Sequence, residues 1–99
     1  MGLLSKLFGT EAKPDFAELI ANGAKIIDVR TKEEFNSGAL KESINIPLDV
    51  LDSQIQKIKK FNQVVILVCM SGGRASMAKI RLSKAGIECY NAGGWRKLK

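Results

Sequence analysis

The feature that most restricts this chain is a run of five apolar residues, Val64-Val65-Ile66-Leu67-Val68, that stops at Cys69 and is followed by Met70-Ser71-Gly72-Gly73-Arg74. Four of the five are β-branched, and a continuous run of this kind reads as a strand buried on both faces. After Cys69 the pattern changes. Ser71-Gly72-Gly73 admits backbone angles closed to other residues, and from Arg74 the apolar spacing turns helical. Cys69 is therefore expected at the carboxyl end of a strand, on a tight loop feeding a helix. Loop N–H groups and the amino end of a helix form a concave site for negative charge, the setting in which cysteines act as nucleophiles. The alternative is that Cys69 is a small core residue finishing a strand. The glycines and the arginine immediately downstream suit anion capture better than packing.

The rest of the chain alternates helix and strand. Residues 1–13 form a separate amino-terminal segment, in which Leu3, Leu4, Leu7 and Phe8 share a helical face that is expected to dock on the domain or fray. Pro14 suits the first turn of a helix, and Phe16, Leu19 and Ile20 continue it to Asn22-Gly23. Lys25 to Val29 reads as a buried strand, after which Thr31 and Glu34 have capping-box spacing for a short helix running to Gly38. Asp28 and Arg30 point to one side of that strand, where they meet the cysteine loop or each other; a structural ion pair is the expected reading. Ser43 to Pro47 is a short strand, and Leu48, Leu51, Ile55 and Ile58 line an amphipathic helix whose lysines face solvent. Beyond the loop, Ala75, Ala78, Leu82 and Ala85 form an apolar stripe that Gly86 ends, and Ile87 to Tyr90 is a further strand. Cys89 there reads as structural, and Trp95 is expected to close the core. Strands alternating with helices through short connections imply an α/β fold, a parallel sheet of four to five strands flanked by helices on both faces. In such sheets ligands bind beyond the carboxyl ends of the strands, where Cys69 falls.

Composition removes several chemistries. The chain has no histidine, which excludes Ser-His-Asp triads, Cys-His pairs and His-ligated zinc, and its two cysteines cannot make a four-thiolate site. The formal charge of +6, from 16 Lys and Arg against 10 Asp and Glu, favours anionic partners. The basic residues form no cluster larger than Lys57, Lys59 and Lys60, and the aromatics are scattered, so neither nucleic acid nor a membrane is the expected partner. With two cysteines and no secretory signal, both thiols are expected free, in the cytoplasm.

Four stretches in register carry a resemblance to a known family. Cys69-Met70-Ser71-Gly72-Gly73-Arg74 resembles the six-residue active-site loop of rhodanese-like domains. Ile26-Ile27-Asp28-Val29-Arg30-Thr31-Lys32-Glu33-Glu34-Phe35 is similar to the family's first signature, Ser43 to Leu48 to the segment after it, and Asn91-Ala92-Gly93-Gly94-Trp95 to its carboxyl-terminal signature. The resemblance implies a single rhodanese-like domain over 14–99 acting as a thiosulfate sulfurtransferase. Cys69 would carry a persulfide, drawing sulfur from a small anionic donor such as thiosulfate and passing it to a thiol or cyanide, with a persulfide-bearing protein as a further partner. The loop from Met70, Ser71, Gly72 and Gly73 to Arg74 and Ala75 would hold the anion through its amides, Arg74 would attract the donor, and Asp28 and Arg30 would support the loop. No metal or organic cofactor is implied. Four residues separate Cys69 from Arg74, whereas dual-specificity phosphatases of related fold have five, so a phosphatase or arsenate reductase is disfavoured. Two departures keep a non-catalytic binding or sulfur-carrier module as the alternative. Gly38-Ala39-Leu40 lacks the histidine the family often carries, and Met70 stands where a basic residue is common. The family also has a fifth strand near its amino end, which this sequence does not place.

Overall fold

The computed structural model describes residues 14–99. The expected docking of the 1–13 segment lies outside them, as does any strand before Pro14. The elements in order are α1 (Phe16–Ala21), β1 (Lys25–Asp28), α2 (Lys32–Asn36), β2 (Ile44–Asn45), a 3-10 helix (Leu48–Gln54), α3 (Ile55–Lys60), β3 (Val65–Cys69), α4 (Gly73–Lys84), β4 (Cys89–Gly94) and a final 3-10 turn (Trp95–Leu98). The four strands pair in parallel in the order β2-β1-β3-β4.

β3 is central, and all five of its residues are buried. The period-2 alternation of a strand divides them between two cores. Val65, Leu67 and Cys69 pack with Leu51, Ile58, Ala75, Ala78 and Leu82 on the face covered by α3, α4 and the first 3-10 helix. Ile66 and Val68 pack with Ile26 and Trp95 on the opposite face, with Phe16, Leu19 and Ile20 of α1 and Leu98 closing over them. Helices thus cover both faces, and Trp95 closes the second core, as its sequence position suggests.

Three local readings change. Asp15, rather than Pro14, opens α1, because its carboxylate accepts from the Glu18 N–H at 3.1 Å. The helix expected over 48–58 is split, its first seven residues being 3-10. There the Leu48 carbonyl accepts from Arg81 at 3.4 Å, and the Leu48 N–H, one of the donors that a helix start leaves unused, bonds the Val29 carbonyl at 3.1 Å. β4 begins two residues later than expected and runs through Gly93-Gly94, which read as a turn in the sequence. Val68 pairs with Gly93 and Leu67 with Asn91, leaving Ala92 as an extra residue in a bulge.

The end of β4 explains its glycines by close approach. A Cβ on Gly94 would lie 2.7 Å from the Met70 carbonyl oxygen, a distance only a bare Cα permits. Gly94→Ala is expected to cost about 1–3 kcal/mol, read as a lower urea midpoint, because two backbones must move apart. Gly73, where an added Cβ meets nothing within 4 Å, is the contrast. Gly73→Ala should add about 0.4–1 kcal/mol of stability through the unfolded state, read as a higher urea midpoint.

Candidate active site

The 69–75 loop wraps the sulfur of Cys69. The Gly72 N–H donates to Sγ at 2.9 Å and the Ala75 N–H at 3.4 Å. Cys69 is only 1% exposed. Two N–H donors at a helix amino end converge on that sulfur, an arrangement that solvates negative charge without a side-chain cation. Gly72 makes the wrap possible, since its φ of 109° is left-handed and a Cβ there would meet the Gly93 Cα at 3.3 Å.

Asn91 ties the loop to β4. Its Nδ2 donates to the Gly72 carbonyl at 3.0 Å and to Ser76 Oγ at 2.9 Å, while its Oδ1 accepts from the Gly93 N–H at 2.8 Å. Sequence reasoning placed Asn91 in a signature but gave it no role. A polar residue directly after the expected strand Ile87 to Tyr90 and two positions before a glycine pair was the available signal.

Arg74 is held in an ion pair with α2. Its guanidinium forms a two-pronged pair with Glu34, at 2.6 and 3.0 Å, locking α4 to α2. Glu34 also completes the anticipated capping box, accepting from the Thr31 N–H at 3.0 Å while its own N–H donates to Thr31 Oγ at 3.2 Å. The Arg74 guanidinium, then the Thr31 backbone N–H, bring the Glu34 carboxyl from its ordinary 4.5 down to about 2. Glu34 in turn holds Arg74 above its usual range. The capping spacing fully accounted for Glu34 in the sequence, and its second partner lies 40 residues away.

Asp28 and Arg30 meet each other, as the ion-pair reading expected. Both are buried, at 0% and 2% exposure, with Arg30 Nη2 2.7 Å from Asp28 Oδ2. Arg30 also donates to the Gly38 and Glu34 carbonyls and lies 4.8 Å from the centre of the Trp95 ring. Asp28 is in register with Val68, on the Trp95 face, so this cluster backs the sheet opposite the Cys69 side chain. Met70 is 46% exposed, and Ser71 and Ser76 are exposed beside it. Cys89 sits in the α4 core with its sulfur 3.5 Å from Ser83 Oγ, and both cysteines are free. Among the described residues no group of His, Cys, Asp and Glu could hold a metal ion, and no helix is long and apolar enough to cross a membrane.

Residues 13–99 match the rhodanese-like domain family. The chain belongs to that family. Among curated relatives, this rhodanese-like domain is 33% identical over 88 residues to the mitochondrial protein HIGH ARSENIC CONTENT 1 of Arabidopsis thaliana, covering 76% of this chain and 52% of the plant protein. The domain therefore spans about half the length of that relative. Among solved structures it is similar to the human single-domain sulfurtransferase TSTD1, with a TM-score of 0.72, 27% identity, and coverage of 86% and 89% of the two chains. It is likewise similar to an E. coli rhodanese solved with anions, with a TM-score of 0.69, 30% identity, and coverage of 75% and 89%.

The Glu34–Arg74 clamp has an acid signature. Because the folded carboxyl titrates below its ordinary value, its stabilisation is complete above pH 4.5 and is lost as pH falls toward about 2. The urea midpoint of the native chain should fall more steeply across that window than that of Glu34→Gln, which has no proton to take up there. Equal slopes would mean that the pair contributes nothing to folding.

Proposed function

We propose that the protein is a sulfurtransferase that carries sulfur as a persulfide on Cys69. The observation that supports this most directly is the pair of N–H groups on Sγ, 2.9 and 3.4 Å away, at the carboxyl end of the central strand. Membership of the rhodanese-like family and likeness to sulfurtransferase structures point the same way.

In the first half-reaction the Cys69 thiolate attacks the outer sulfur of a sulfane donor such as thiosulfate. The donor S–S bond breaks, its electron pair leaves with sulfite, and Cys69 carries an anionic persulfide. The Gly72 and Ala75 N–H groups hold the negative charge of the Sγ thiolate before it attacks and again when it is released. In the second half-reaction a thiol gives its proton to the persulfide, and its thiolate attacks the outer sulfur. The bond to Sγ then breaks, the Cys69 thiolate returns to its N–H donors, and the acceptor departs as a persulfide. Arg74, occupied by Glu34, is a positioning residue that fixes the first turn of α4. Asp28 and Arg30 stiffen the sheet behind it.

Intact mass after incubation with thiosulfate tests the mechanism. The native chain should gain one sulfur atom, cyanide should remove it with release of thiocyanate, and Cys69→Ser should gain none. A gain retained in Cys69→Ser would sink the proposal. No gain from thiosulfate or from a persulfide-bearing protein would leave the domain as a binding module.

A further inference from the structure

Among the described residues the exposed large apolar side chains are Val50, Met70, Met77 and Ile80, at 44–58% accessibility. They do not scatter over the surface. Met77 and Ile80 lie on α4, Met70 stands in the loop that leads into it, and Val50 belongs to the 3-10 helix that Arg81 of α4 reaches through the Leu48 carbonyl. Helical spacing sets Gly73, Met77, Ile80 and Lys84 on one line, opposite the buried Ala75, Ala78 and Leu82. That line starts in open space, because a Cβ added to Gly73 would meet nothing within 4 Å. The outer side of α4 is thus an apolar ridge that includes methionine, a side chain that adapts its shape to a partner.

Charge selects the partner. α4 carries Arg74, Lys79, Arg81 and Lys84 and no carboxylate. Two of these cations are answered within the chain, Arg74 by Glu34 at 2.6 Å and Arg81 by Asp52 at 4.0 Å. Lys79 and Lys84 are exposed and have no ion pair among the described residues. We propose that the outer ridge of α4 docks an acidic amphipathic segment of another protein, which sets apolar side chains on Met77 and Ile80 and carboxylates against Lys79 and Lys84. A second copy of this chain fits poorly, since two such ridges meeting across a two-fold axis would bring basic helices together. An anionic membrane fits poorly too, since Asp49 and Asp52 are exposed on the same 3-10 helix as Val50 and would be pressed toward the headgroups. Cys69 packs with Ala75 and Ala78 beneath the inner face of α4, so the ridge is a surface apart from the sulfur. The inference therefore stands or falls independently of the persulfide reading.

The test titrates the full chain with a synthetic amphipathic helix of about 15 residues, leucine on one face and glutamate elsewhere, and with the same peptide carrying lysine for glutamate. Amide shifts should be saturable with the acidic peptide, should centre on Met77, Ile80 and Lys84, and should be absent with the basic one. Ile80→Ser should weaken binding about tenfold through lost apolar contact, and Lys84→Ser about threefold through loss of one exposed ion pair. Both residues are exposed, so both variants keep the fold, and both should take up sulfur from thiosulfate as the native chain does. Failure of the native chain to bind the acidic peptide, or equal binding by the basic peptide or by Ile80→Ser, would overturn the proposal. Concentration-dependent dimerisation or binding to anionic lipid vesicles, if abolished by Ile80→Ser, would overturn it as well, because the ridge would then belong to a second copy or to a membrane.

Discussion

The close approach of two backbones, the loop from Met70 to Gly72 and the end of β4 at Gly93 and Gly94, is the constraint on which the site depends. A Cβ at either Gly72 or Gly94 would intrude on the other segment, at 3.3 and 2.7 Å. Asn91 holds the Gly72 carbonyl from that strand at 3.0 Å. The sulfur's two N–H donors are thus set by sheet pairing rather than by the loop alone.

Two ion pairs flank this contact and behave differently. Arg30 and Asp28 are fully desolvated, which is favourable only where every donor is used. Here the guanidinium also reaches two backbone carbonyls and stacks by Trp95. Arg74 and Glu34 are about one-third exposed and are screened accordingly. The buried pair gives rigidity behind the sheet, and the exposed one gives a sequence-distant tie between α2 and α4.

The parts of the fold legible in the sequence are those whose cause is local. The buried run of β3, the glycine loop, the apolar stripe of α4 and the Thr31–Glu34 box all depend on residues a few positions apart, and each lies where its pattern puts it. Asp28 and Arg30, two apart on one strand, were legible for the same reason. What the sequence concealed depends on partners far along the chain. Glycines read as a turn because their role in β4, admitting the Met70 carbonyl, involves a residue 24 positions earlier. The Arg81 bond to the Leu48 carbonyl spans 33 positions, and the engagement of Arg74 by Glu34 spans 40.

The bulge at Ala92 separates what must stay fixed from what is free to vary. β3, which carries Cys69, is paired on both sides, so an insertion there would move the sulfur to the other face of the sheet. β4 already absorbs one surplus residue next to the sulfur without disturbing its partner strand. Changes in length beyond that point would shift Lys97 relative to a stationary sulfur. The fold thus lets the segment after β4 vary while the cysteine loop keeps its place.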